Sequence, residues 1–311
     1  MAGEVPAAGA LRRVSAAGCS GRGASYHGGM RPGETVRDVA GLWDVALPAR
    51  AGRMAGVSMA GFRSRADRFV DMQVVPYPAL TLFIDFGDGR LVDDAGSQWA
   101  NGGVVGLVPG GVRGRGRSID CLQVRLSPVV AYAAFGAGLD LSGAMVSLDA
   151  LWGREAGRTQ ERLREAGSWE DRFAVAREVL ERRSACRAVD PEVAFVWGQM
   201  VRCRGRVRVE RLADEAGWSR KRLWSRFRDQ VGLTPKRAAQ LVRFDHAVHR
   251  LAEGQASALV AAEGGYADQS HLHREVRSFA GLTPTAAAAA QWLDVDDVAW
   301  ARSRAGRGRA G

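Results

Sequence analysis

Between Gly217 and Pro235 the chain reads GWSRKRLWSRFRDQVGLTP, and between Gly265 and Pro284 it reads GYADQSHLHREVRSFAGLTP. In the first stretch Arg220, Lys221, Trp224, Ser225 and Arg228 are spaced by one, three and four residues, which gathers them on the outer side of a helix. Gln269, Ser270, His273 and Arg274 do the same in the second. The chemistry these groups share is hydrogen bonding and contact rather than bond breaking. Gln can bond adenine through two atoms, Arg can do so with guanine, and an aromatic ring can touch a thymine methyl. For Trp224 the alternative is packing on the domain's own surface. Ser219 and Asp268 read as helix caps, and His271 as a packing or capping residue.

A second class of residue supplies charge without reading anything. Arg202, Arg204, Arg206, Lys236, Arg237 and Arg243 are candidates for phosphate contact, the alternative being a solvated face. The chain carries a net charge of +10, and residues 202–250 hold 14 Arg and Lys against 5 Asp and Glu. Residues 1–201 hold 24 against 22, so the excess is not a general enrichment in arginine. A basic patch confined to one motif is an electrostatic footprint for a polyanion.

Helices must hold these side chains. Ser219 caps a helix whose Leu223, Phe227 and Val231 share one face, Gly232 ends it, and Thr234-Pro235 starts the next. Forty-nine residues on, the pattern returns: Leu272 stands for Leu223, Val276 for Phe227, Arg277 for Arg228, and Gly-Leu-Thr-Pro recurs at 281–284. Such repetition is hard to reach by chance. A short helix precedes each copy, Val209–Ala216 and Ala256–Glu263. Pro235–Glu253 joins them as one long helix with Leu241, Phe244, Val248 and Leu251 inward.

Two helix-turn-helix units on a long joining helix resemble the DNA-binding domain of the AraC/XylS family of bacterial transcription regulators. The first copy matches the family pattern at Ala213, Gly217, Ser219, Leu223, Phe227, Gly232 and Pro235. The second matches it at Gly265, Tyr266, Asp268, Ser270, His271 and Leu272. Val276 departs from a usual Phe, and the run Ala286–Ala290 from a polar or aromatic end. The resemblance covers about the last third of the chain. It implies a sequence-specific binder of double-stranded DNA, with recognition helices 219–230 and 268–279 in successive major-groove segments. RNA polymerase, a small-molecule effector and a second copy of the chain are the further partners it suggests.

The first half reads differently. Short β-like runs with glycine turns fill Thr35 to Leu126. Ala79–Phe86 is one strand, with Leu91-Val92 as its return, Gly103–Val108 another, and Ser118–Leu126 a third; Gly111–Arg117 reads as a loop of arginines. Capped helices follow from Ser127, Ser147, Ser168 and Asp190. Strands, then helices, then such a DNA-binding domain resembles family members with a cupin-like sensor. The expected class is α+β. A disordered leader at 1–30 precedes a β-rich regulatory domain at 31–187. An all-α DNA-binding domain at 188–290 and a flexible tail at 291–311 follow.

Enzymatic readings find no support. The five histidines are 27, 246, 249, 271 and 273, so no histidine-ligated metal barrel fits the first half and no metal or cofactor is expected. A fused repair methyltransferase needs a reactive cysteine beside histidine, and Cys121 has none near it in sequence. No phosphate loop, nucleophile elbow or dinucleotide glycine pattern stands out. The four cysteines form no C-x-x-C pair and read as reduced thiols. No apolar run approaches a membrane span, and the expected location is cytoplasmic. The alternatives are a constitutive DNA binder whose first half only dimerises, and an enzyme fused to an AraC-type module. Thermal stabilisation by small molecules separates a sensor from a dimerisation domain.

Overall fold

The computed structural model describes residues 42–48, 54–65, 69–100, 102–108, 110–136, 145–185 and 187–300, with Asp294 by its backbone only. The leader expected at 1–30, Cys19, His27, Cys186 and residues 301–311 lie outside the described residues.

Ten strands among the described residues form two antiparallel sheets. The first has the order β1 (Trp43–Ala46), β2 (Val57–Ser64), β9 (Asp120–Leu126), β4 (Leu80–Asp85), β7 (Gly103–Val105) and β10 (Met145–Ser147). The second has the order β3 (Val70–Gln73), β8 (Arg113–Gly116), β5 (Arg90–Val92) and β6 (Gln98–Ala100). The domain is β-rich, but its described strands do not form one closed barrel. Leu82 sits opposite both Val104 and Val124, which fixes the register at the centre of the first sheet.

Both faces of that sheet are covered, which explains the unbroken apolar run ALTLFIDF. Leu80, Leu82, Ile84, Leu122, Val124 and Leu126 face a core shared with the helices. Phe62, Phe83, Val105 and Cys121 face the second sheet. Cys121 and Leu122, adjacent on β9 and facing opposite sides of the sheet, are therefore both buried. Cys121 and the half-buried Cys203 are free thiols.

Two expectations need correction. Leu91-Val92 does not return beside Ala79–Phe86; it pairs with β6 and β8 in the other sheet. Arg113–Gly116 is a strand, not a loop, because Asp71 on β3 pairs with both Arg113 and Arg115 and holds RGRG in register.

Helices α1 (Pro128–Phe135), α2 (Leu148–Trp152), α3 (Arg154–Glu165) and α4 (Trp169–Ser184) follow. Ser127, Ser147 and Ser168 cap α1, α2 and α4, each accepting a bond from a backbone N–H three residues on. The expected boundary near 187 falls between α4 and α5 (Pro191–Arg202), yet one apolar core runs across it from Val179 and Leu180 to Val193 and Trp197.

The C-terminal part is all helical: α6 (Val209–Glu215), α7 (Arg220–Val231), α8 (Pro235–Ala252), α9 (Ser257–Gly264), α10 (Gln269–Ala280), α11 (Pro284–Ala288) and α12 (Gln291–Ala299). The pairs α6–α7 and α9–α10 are helix-turn-helix-like, and α7, α9 and α10 all touch α8. The flexible tail expected from 291 is a further correction. Residues 291–299 form α12, because Leu293 and Trp292 are buried in the main core and Trp300 is buried between the sheets.

Candidate nucleic-acid interface

The two recognition candidates are built alike. Ser219 Oγ accepts the Arg222 N–H at 3.2 Å, and Asp268 Oδ1 accepts the His271 N–H at 2.6 Å. A carboxylate or hydroxyl there also satisfies a donor that the first helical turn leaves open. Gly232 and Gly281 close the helices at φ 85° and 71°, a left-handed conformation that glycine reaches without a Cβ clash. Leu223, Phe227 and Val231 are buried behind α7; Leu272, Val276 and Phe279 are buried behind α10. Phe279 packs at a tilt against Phe244 of α8 with ring centroids 5.1 Å apart.

The opposite faces are open. Arg220, Lys221, Trp224, Ser225 and Arg228 are all exposed on α7, as are Gln269, Ser270, His273 and Arg274 on α10. Trp224 is 46% exposed, and its ring carries the Arg228 guanidinium at 5.3 Å. Arg220 lies 3.8 Å from Glu210, with both side chains in solvent, a pair of little energetic weight. The two sets correspond position by position at an offset of 49. Arg277, at the offset from Arg228, is also exposed and was not among the sequence candidates. The repeat itself was the signal that could have found it.

Neighbouring side chains fix α7 in place rather than extend its open face. Arg226 donates to both oxygens of Asp190 at 2.7 and 3.0 Å, and Gln230 Oε1 accepts the Asp190 N–H at 3.0 Å. The Arg226 hydrogen bond holds the Asp190 carboxyl below the usual carboxylate range. Arg222 lies over the Trp218 ring at 4.5 Å. His271 packs edge-on to Tyr266, and its Nδ1 accepts the Ala267 N–H at 3.3 Å.

The phosphate candidates divide. Lys236 is exposed and makes no ion pair among the described residues; Arg202 and Arg204 are exposed as well. Arg206 is exposed but donates to the Glu263 carbonyl at 3.0 Å, tying the first pair to the second. Arg237 is half-buried, flat on the Phe279 ring at 3.7 Å, and burial lowers its pKa. Arg243 is a correction. It grips the buried Glu275 of α10 through Nε at 2.9 Å and through Nη2, and it lies over Tyr266 at 4.6 Å. Its charge is spent inside the protein and is not available to a phosphate.

Gly205 sets the approach of the segment carrying Arg202, Arg204 and Arg206. Its φ is 74°, and a Cβ there would sit 2.2 Å from the Ala239 carbonyl of α8. Burial, followed by the charges of Arg204 and Arg250, pushes the His246 imidazole down to about 4, so it is neutral at pH 7.

Residues 212–290 match a family model described as a helix-turn-helix domain. A search of the curated proteins returns no match. Among solved structures, ToxT from Vibrio cholerae aligns at 12% identity over 76% of this chain and 98% of its own, with a TM-score of 0.41. The AraC-like transcriptional activator CuxR aligns at 16% identity over 74% and 93%, with a TM-score of 0.24. A xylose-binding transcription activator, XylR, aligns at 16% identity over 38% of each chain, with a TM-score of 0.29. No described helix is long and apolar enough to cross a membrane, and no group of three His, Cys, Asp or Glu among the described residues could hold a metal ion.

Proposed function

With a C-terminal helix-turn-helix domain of the AraC/XylS type as the premise, we propose that this chain is a sequence-specific, double-stranded-DNA-binding transcription regulator that reads its site with α7 and α10. The observation that carries this reading is the equivalence of the two helices. Each buries an apolar back against the α8 scaffold and leaves five polar or aromatic side chains exposed at matching positions, Arg220 to Arg228 and Gln269 to Arg277. One chain then carries two readers for major-groove segments about 34 Å apart, and its site need not be palindromic.

Two terms divide the work. Lys221, Ser225, His273 and Arg274 face base edges, where each good contact discriminates by about 1–3 kcal/mol. Lys236, Arg202 and Arg204 neutralise phosphates, and each such contact contributes about 0.9 to the salt slope of binding. The β-rich domain is the regulatory half. Two sheets facing each other around an apolar cleft support a cupin-like sensor, and α1 packed on α7 supports influence on the first reader.

Selection of the full chain on a randomised duplex library tests this. Lys221→Ala and Ser225→Ala change the selected bases. Lys236→Ala weakens selected and random duplexes alike and lowers the salt slope by about one. Equal losses on both duplexes for all three variants would refute the division.

A further inference from the structure

The C-terminal helix α12 leaves the helical domain and enters the β-rich one. Trp300, just past its end, is 2% exposed and lies between the sheets, its ring 6.3 Å from that of Phe62. Asp296 is 3% exposed, and its Oδ1 accepts a bond from Arg125 Nη2 of β9 at 2.5 Å. Its Oδ2 lies 3.6 Å from Nε2 of His249, a buried residue of α8 whose Nδ1 contacts the Asp245 carbonyl oxygen at 2.7 Å. One carboxylate thus joins a strand of the first domain to the long helix of the second. Burial is the largest single influence and raises the Asp296 carboxyl, but the charges and hydrogen bonds of Arg125 and His249 together outweigh it and the pKa is lowered.

The seat is imperfect in a specific way. Arg125 is held between the Tyr77 and Trp300 rings, at 3.8 and 4.3 Å, yet its Nε and Nη1 find no acceptor among the described residues. The indole N–H groups of Trp292 and Trp300 are likewise buried without an acceptor among the described residues. A cavity of about 130 Å³ remains beside the helix, lined by Met72, Phe83, Leu91 and Val105 among others. Buried donors without acceptors and unfilled apolar volume both cost free energy. The docked helix therefore leaves unused affinity in the cleft, and that affinity suits one chemistry: an apolar body carrying an anion.

We propose that α12 is a displaceable internal ligand of this cleft, and that a small apolar anion competing for Arg125 releases the β-rich domain from α8. The DNA-binding reading is not needed for it. Hydrogen–deuterium exchange on the full chain, with anilinonaphthalene sulfonate as the competing anion, tests both parts. Asp296→Asn speeds amide exchange across 291–299 by about tenfold or more, as expected when a local opening loses its anchor. In the unmodified chain the probe fluoresces and speeds the same amides. Arg125→Met exchanges fast without the probe and loses the fluorescence. The proposal falls if 291–299 exchange at the unmodified rate in Asp296→Asn, if the probe binds the unmodified chain without changing them, or if Arg125→Met binds it undiminished. Should Asp296→Asn lack a cooperative melt, Trp300→Ala, which keeps the carboxylate, takes its place with the same criteria.

Discussion

At the scale of single residues, two charges separate structural from surface roles. Arg243 faces Glu275, which is 5% exposed. Arg243→Ala leaves that carboxylate buried without its closest cation, and the expected loss is about 3 kcal/mol of stability, read from urea denaturation. A phosphate contact would instead leave stability intact and lower the salt slope of DNA binding. Sequence gave Arg243 the look of a surface cation, since its partner lies 32 positions away on another helix. Asp85 carries the second test. Burial pushes its carboxyl from 3.8 up to about 7, although the N–H groups of Gly87 and Gly89 pull the other way. The folded state thus holds the proton more tightly than the unfolded one. Its contribution to stability is full below about pH 4 and is lost as pH rises through 7. Asp85→Asn flattens a decline of about 4 kcal/mol between pH 4 and pH 8, measured by denaturation across that range.

At the scale of elements, the caps carry equal weight in the two copies. Ser219→Ala and Asp268→Ala each cost about 1 kcal/mol, read from denaturant midpoints, because each orphans one N–H of a first helical turn. Gly205→Ala costs more, about 2 kcal/mol or above in the same measurement, since a left-handed backbone and a clash with the Ala239 carbonyl add together. The helical elements were legible in the sequence because their signals are local. Ser219, Asp268, Gly232 and Gly281 mark the ends, and Leu223 with Phe227 marks the inner face within two turns. β8 was not legible: RGRG has no apolar alternation, and Asp71, which holds it, lies about 40 residues earlier. Leu91-Val92 failed for a related reason, as strand pairing depends on partners that local pattern does not name.

At the scale of the molecule, α12 is the part that local reading could not place. Acidic residues followed by an Arg/Gly-rich run look like a tail, whereas Leu293 and Trp292 complete the core around α8. A fragment ending at 290 therefore melts below one ending at 300, by several degrees, since it loses three large buried side chains, Trp292, Leu293 and Trp300. Differential scanning of the two fragments checks this. One further consequence follows from α8, a single run of 18 residues about 27 Å long. With Arg206 tying the first helix pair to α9 and Arg243 tying α8 to α10, the gap between the readers is set by a strut rather than a hinge. Inserting one base pair between the two half-sites would shift one of them by about 3.4 Å and swing it by about 35° around the duplex axis. A stiff caliper cannot follow that move. The protein would then measure length as strictly as it reads letters, and competition with operators lengthened by one base pair would reveal it.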